Sequence, residues 1–379
     1  MSKNTQENKN RVLGLNNLTW MLAFVVGLLV VIGTYMVFSA SYVGVDNSTP
    51  PWMFVLKHLV SMVMGFVAGT VMYFFIARRK GALRFSAALL AVSIAIGALV
   101  LAYVLGAVQG GSTRWIELPG GFNLQPSELI KLTLIPFVAI LLANADPGKS
   151  FWGIFMGTLV VGGVVAVENF SSAVLIILPV MVMLMVHGIK KEHYGFMSIL
   201  LASGTFGAIL MAPYRLKRII EFIGVWGNPL SADYQSKQSL YALADGGVIG
   251  VGLTNSKQKF FHLPEHHTDF IFAIVGEELG FIGAVVLILL LMLVGYLMFQ
   301  IAVATRDRFM KLTVLGYGIL FALQTLLNIA VVTALVPVTG VTLPFISYGG
   351  SSMICYIGIM VFVTGRVIFR GRRDHETNR

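Results

Sequence analysis

The chain has 379 residues, of which 57% are hydrophobic and only 12% charged. So few charges cannot coat a soluble protein, and a soluble core of this size does not need so much apolar surface, which excludes an ordinary water-soluble domain. The net charge of +10 invites a nucleic-acid reading, but the basic residues are distributed as a membrane-topology signal and nucleic acid is excluded as a partner. The single cysteine, Cys355, lies in an apolar run, so no intrachain disulfide can form.

Apolar runs recur at about the 20 residues that cross a bilayer as a helix. In chain order the expected spans are 18–38, 53–76, 83–104, 129–144, 151–167, 171–187, 194–213, 281–303, 312–335 and 350–369. The fold expected is an all-α polytopic membrane protein of about ten transmembrane helices. Residues 1–17 and 370–379 are expected as cytoplasmic tails around one membrane domain, 18–369. The first apolar run is too long for the core of a signal peptide and reads as a retained span.

Eighteen of the 27 Lys and Arg residues lie in the tails and in the segments on their side of the membrane. On the opposite side only Arg114 is basic in the short loops, and six more lie in 214–269. That bias puts both termini in the cytoplasm. The spacings Gly65-x-x-x-Gly69 and Gly153-x-x-x-Gly157 would allow close helix packing.

The polar residues concentrate in the outward segments. In GGSTRWIELPGGFNLQPSELIKL, Gly110–Leu132, the end reads as a helix start with Ser127 as N-cap and Glu128 in the first turn. Lys131 is one turn on and shares the face of Glu128. The two are either an ion pair that makes a charged helix start tolerable or a cation facing a cavity with a carboxylate orienting it. Arg114 and Trp115 fit an interfacial anchor or a ligand contact, and Lys57 within the second span fits snorkelling or ligand binding.

Segment 214–280 is too long for a simple connection and is expected as a large extracytoplasmic loop ending in an interfacial helix over 270–279, stopped near Gly280. A short amphipathic helix is expected at 236–244. The six basic residues here defy the orientation bias, which an anionic ligand such as a phosphorylated lipid would explain.

Within LPEHHTDFIFAIVGEELG, Leu263–Gly280, Thr268 or Asp269 could cap the last helix, and Asp269 could instead serve as a general base. His262 and His266 are separated by Pro264, which breaks metal-ligand spacing, and no zinc site is expected. Glu277 and Glu278 read as a polar helix end rather than a catalytic pair. The last outward segment, PVTGVTLPFISYGGSS, Pro337–Ser352, is uncharged. It reads as a re-entrant turn meeting a polar ligand, or as a turn capped by Ser351 or Ser352.

The stretches GGSTRWIEL, QPSELIKL, LPEHHTDFIFAIVGEELG and GVTLPFISYGGSS, in that order, resemble the SEDS family of membrane peptidoglycan polymerases (shape, elongation, division and sporulation; FtsW, RodA and SpoVE). GVGLTNSKQKFFHLPE is similar to the division and sporulation branch more than to the elongation branch. One departure is VENFSSA, Val167–Ala173, where many members carry a Pro-Asp stretch.

The resemblance implies an enzyme that polymerises lipid II into β-1,4-linked glycan, with polyprenyl diphosphate leaving. It implies Asp269 as the catalytic base, and Lys131, Glu128, Arg114, Trp115, Lys57, His267, Ser351 and Ser352 as substrate-binding residues. No resident metal or organic cofactor is expected, although a divalent cation, magnesium or manganese, would assist the leaving group. The implied partners are lipid II, a class B penicillin-binding protein transpeptidase and other division or elongation proteins, in the bacterial cytoplasmic membrane and at the division septum. A flippase for the same lipid and a noncatalytic transpeptidase scaffold are the alternatives.

Overall fold

The computed structural model describes residues 3–42, 50–105, 107–109, 112–118, 122–146, 151–210, 213–227, 233–260 and 263–376. Among them are twelve α-helices: α1 Lys3–Ser41, α2 Pro51–Met72, α3 Gly81–Leu105, α4 Pro126–Asn144, α5 Phe151–Glu168, α6 Phe170–His187, α7 Lys191–Leu210, α8 Pro213–Gly227, α9 Tyr234–Gly246, α10 Ile271–Ala304, α11 Arg308–Val332 and α12 Gly350–Glu376. Each of the ten expected spans falls on a helix. Seven of the helices are long and apolar enough to cross a membrane, and Phe151–Val167 and Gly350–Gly365 are shorter apolar stretches.

The helical membrane fold is as expected, with one small addition. Between α3 and α4 lie three short antiparallel strands, β1 Ala107–Gln109, β2 Ser112–Leu118 and β3 Phe122–Leu124, in the order β1-β2-β3. The three residues each of β1 and β3 are too few to show alternation, and the seven of β2, STRWIEL, do not alternate strictly.

Helix α4 is the centre of the bundle: 78% of its most apolar stretch is buried, against 22% for α3. It packs on α3, α6, α11 and α12, while α2 lies along α12 and α1 along α10. The α2–α12 contact depends on missing side chains. A Cβ on Gly65 would stand 2.9 Å from the Ile354 carbonyl oxygen, and one on Gly69 2.5 Å from that of Gly358. Backbones approach this closely only across glycine. The second spacing makes no such contact, since a Cβ on Gly153 or Gly157 would meet nothing within 4 Å.

Helix α10 is broken at Gly280, whose φ of 68° and ψ of −170° are not helical. The break leaves backbone groups without intrahelical partners, and a buried break must find others. Residues 247–252 supply them: Val251 and Gly252 N–H donate to the carbonyls of Glu277 and Glu278 at 3.0 and 3.1 Å, and Phe281 and Ile282 N–H donate to Gly247 and Val248 at 2.9 and 3.2 Å. The expected interfacial helix is therefore corrected. Residues Ile271–Glu278 are all buried, so this half-helix is an interior anchor.

Glu277 and Glu278 fix the loop before it, consistent with a noncatalytic role. Ser256 Oγ and the Lys257 N–H donate to Glu277 at 2.5 and 2.7 Å. Lys259 Nζ lies 3.0 Å from Glu278 Oε1 with neither side chain exposed, and Ser39 Oγ of α1 donates to the same carboxylate at 2.7 Å. A buried ion pair tolerates its desolvation only with such added hydrogen bonds.

Orientation can be tested on exposed sites in the two sets of loops. Lys257 is exposed beside the buried Ser256, and Arg306 is exposed between α10 and α11. In spheroplasts, an impermeant thiol reagent is expected to label Lys257→Cys and to spare Arg306→Cys until the membrane is permeabilised. Labelling in the reverse pattern would invert the orientation.

Candidate active site

A cavity of about 1,060 Å³ opens among β3, the α5–α6 corner, α8 and the segments 265–270 and 337–350. Asp269, half-buried, is in its wall together with Trp115, His267, Arg215 and Arg218. The helix-cap reading of Asp269 is not what the structure shows. The N-cap of α10 is Phe270, with no side-chain cap, because Glu265 adopts a positive φ of 54° and its carbonyl takes the N–H groups of both Thr268 and Phe270. Thr268 Oγ1 turns back to donate to Glu265 Oε2 at 2.7 Å. The carboxylate of Asp269 is thereby left in the cavity wall rather than on the helix end.

Two loops are clamped around that carboxylate. Asn328 Nδ2 on α11 donates to the carbonyls of Asp269 and Val341, each at 2.7 Å. The Tyr348 N–H donates to the His267 carbonyl at 2.9 Å. A Cβ on Gly340 would come 3.4 Å from Asp269 Oδ2, and its φ of +67° disfavours any other residue. The backbone of 337–350 thus lies directly against the acid.

The His267 ring packs edge-on to Phe54, with centroids 5.5 Å apart, and tilted against Tyr348 at 5.7 Å. Burial, with His266 beside it, holds its pKa down at about 3. It is therefore a neutral imidazole at any physiological pH, and a polar contact rather than a cation.

Lys131 and Glu128 lie in the wall of a second, small chamber of about 30 Å³, which shares Trp115, Gln125, Asn169, Gly340 and Thr342 with the large cavity. Lys131 Nζ is 2.5 Å from Glu128 Oε1 and donates to Gln324 Oε1 at 2.9 Å. Gln324 Nε2 in turn donates to the Thr342 carbonyl at 3.0 Å, and Thr342 Oγ1 to Ser352 Oγ at 2.9 Å. The cation is tied through neutral groups to the loop that carries Gly340. Glu128 Oε2 is buried with no protein partner, and the chamber is large enough for a water molecule.

Ser351 receives the Gln125 N–H at 2.8 Å and donates to the Asn123 carbonyl at 3.0 Å, so it links α12 to β3 and to the start of α4. The expected N-cap at Ser127 is corrected: Pro126 opens α4, Gln125 is the N-cap, and Ser127 Oγ is buried without a partner. Lys57 is half-buried on α2 and does not line either cavity. Arg114 lies on β2 beside Trp115, and its side chain is outside the described residues, as is His262. In the departing stretch, Asn169 caps α6 by accepting the Ser172 N–H at 3.0 Å, and it borders both cavities.

Arg215 and Arg218 were not singled out from the sequence. Their only signal was the cluster of basic residues on the side where the orientation bias disfavours them. Among the described residues no group of three or more His, Cys, Asp or Glu is placed to hold a metal ion.

Residues 19–366 match the family model described as cell cycle protein, FtsW/RodA/SpoVE. The chain belongs to this family. It is 36% identical to the stage V sporulation protein E of Bacillus subtilis (strain 168), over 91% of this chain and 96% of that protein. It is 39% identical to a probable peptidoglycan glycosyltransferase FtsW of Geobacter sp. (strain M18), over 71% of this chain and 76% of that one. Among solved structures, a chain in a peptidoglycan synthase complex described for structural coordination of polymerization and crosslinking superposes with a TM-score of 0.72. It is 24% identical, over 92% of this chain and 98% of that chain. The family fold thus extends over nearly the whole membrane domain.

The Glu128–Lys131 pair gives a sharp stability test. Lys131 is 2% exposed and Glu128 5%, so Lys131→Met strands a buried carboxylate at a cost of about 3–5 kcal/mol. Thermal unfolding in detergent is expected to show that loss, and Lys131→Met with Glu128→Gln to recover most of it. Equal losses in the single and double variants would mean that packing, not charge, sets the cost.

Proposed function

We propose that this chain is a peptidoglycan glycosyltransferase that polymerises lipid II, with Asp269 as the general base. The observation that carries this is a carboxylate in the wall of an outward cavity, on a loop whose main chain Asn328 holds, while the N-cap of α10 is Phe270. The relatives named as peptidoglycan glycosyltransferases support the activity.

The chemistry follows from the cavity wall. The 4-hydroxyl oxygen of the acceptor sugar attacks the anomeric carbon of the lipid-linked donor. Its proton passes to the Asp269 carboxylate, the bond from that carbon to the diphosphate oxygen breaks, and polyprenyl diphosphate leaves with the electron pair. Attack opposite the leaving group turns the α-linkage into a β-1,4 bond. The clamp of Asn328 and Gly340 fixes the base before substrate arrives, which is how positioning lowers the barrier. Neutral His267, Trp115 and the backbone of 337–350 offer polar and stacking contacts to sugars. Lys131 acts on the site electrostatically, through Gln324 and Thr342.

Glu265 and Asp269 are the two carboxylates in the cavity wall. One or two carboxylates plus substrate phosphates is a donor set that suits magnesium or manganese. Such a cation would neutralise charge on the leaving group. A crosslinking partner, read here as a class B penicillin-binding protein, is supported by the synthase complex for polymerization and crosslinking whose chain shares this fold, and the division septum as location belongs to the same reading. A lipid flippase would need a path to the inner face, whereas this cavity is built from the outward segments, which favours the polymerase.

The variant that decides is Asp269→Asn, which keeps size and hydrogen-bond acceptance but cannot take the proton. With labelled lipid II and the cognate transpeptidase, gel-resolved polymer is expected to fall by roughly 10²-fold or more while abundance holds. Asp269→Glu should recover little, because the added methylene displaces the carboxylate. Wild-type polymer from Asp269→Asn would end the general-base assignment.

A further inference from the structure

Asp269 lies three residues beyond His266, on a segment with no helix or strand of its own. The His266 ring is buried behind that segment and is not in the cavity wall, so it meets no substrate. Its Nδ1 is 2.8 Å from the Leu263 carbonyl oxygen, a contact inside the loop. Its Nε2 is 3.1 Å from the Ala40 carbonyl oxygen on α1. Ala40 stands in the last turn of α1, where helix carbonyls have no intrahelical partner and take a donor from elsewhere. The ring also packs edge-on to that of His267, with centroids 5.3 Å apart, and His267 does line the cavity.

The same turn of α1 also holds the far end of this segment. Ser39 Oγ donates to Glu278 Oε1 at 2.7 Å, so one helical turn grips 263–278 near its start and at its end. Gly33, about two turns earlier on α1, lies against the second cavity loop, where a Cβ would collide with the Phe345 carbonyl oxygen. Both loops beside the acid are thus set against α1, and His266 is the side chain that reaches from the loop of Asp269 to it.

We propose that His266 is a positioning residue for Asp269, hanging the loop of the acid from the last turn of α1 through an Nε2–H bond to the Ala40 carbonyl. The inference rests on the general-base reading of Asp269 and deepens it. The ring touches no reacting atom. It fixes the backbone that carries the acid, so its loss moves the carboxylate relative to the attacking hydroxyl and is felt in the chemical step. The Nδ1 contact to Leu263 stays within the loop and has no such reach. A neutral imidazole carries one N–H and a charged one carries two; in either form the tie requires a proton on Nε2.

Side-chain length separates the two contacts. In His266→Gln the amide nitrogen reaches about as far as Nε2 and can still donate to Ala40; in His266→Asn it reaches only as far as Nδ1; His266→Leu fills space without a donor. With the full chain, its cognate transpeptidase and labelled lipid II, the Gln variant is expected to keep a kcat close to wild type. The Asn and Leu variants should lose roughly tenfold in kcat with KM unchanged, the pattern of an interaction that serves the transition state. Nitrogen-15 spectra of histidine-labelled wild type, with the His266 signal assigned by its absence in any 266 variant that accumulates, should show Nε2 protonated. A wild-type kcat in the Leu variant, an Asn variant as active as Gln, a change confined to KM, or a bare Nε2 would each overturn the tie. The nitrogen shift is read without turnover, so the readings separate. A bare Nε2 removes the tie even where polymer forms, and wild-type polymer from Asp269→Asn removes the base even where the tie stands.

Discussion

Asn328 is fully buried on α11, and its amide nitrogen holds the carbonyls of Asp269 and Val341 at once. Those carbonyls belong to two loops separated by α10 and α11. Neither loop has regular structure of its own, so each depends on partners supplied from outside. Removing the amide would leave two carbonyls without their donor at a cost of about 1–3 kcal/mol each if they stay buried. The position of the acid relative to Gly340, and through it to the cavity, is set by this one side chain more than by any helix cap.

The clamp is backed by the half-helix after Asp269, which is buried from Ile271 to Glu278. Its far end carries Glu277 and Glu278, whose carboxylates would be poorly placed near a helix C-terminus on dipole grounds alone. Lys259, Ser39, Ser256 and the N–H of Lys257 offset that cost. Residues 247–252 then take up the backbone groups freed by the break at Gly280. The bilayer interior has no water to satisfy such groups, so the break at Gly280 is paired with 247–252.

The ten apolar spans were legible because each is a long run of one character. Helix α8 was not, since Arg215, Lys217 and Arg218 interrupt the hydrophobic face formed by Leu216, Ile220 and Ile223. Strands β1 and β3 were too short to show alternation, and the apolar pair Trp115 and Ile116 breaks it in β2. The cap readings failed by single residues: Pro126 takes the first helical position and moves the N-cap to Gln125, while the positive φ at Glu265 moves the other N-cap to Phe270. Neither effect can be read from residue type alone. Asp269 stood out through the family resemblance more than through spacing. Glu128 and Lys131 were rightly seen to share a face, but their tie to the 337–350 loop runs through Gln324, a residue in a distant span that no local pattern reveals.

The central claim is that one outward cavity holds the acid, the acceptor hydroxyl and the diphosphate together. A structure of the chain with an unreactive donor analogue and an acceptor disaccharide tests it most directly. The acceptor 4-hydroxyl is expected within hydrogen-bond distance, about 2.6–3.2 Å, of the Asp269 carboxylate, with the donor's anomeric carbon beside it. Donor sugars bound outside the cavity, or an acceptor hydroxyl facing away from Asp269, would contradict it.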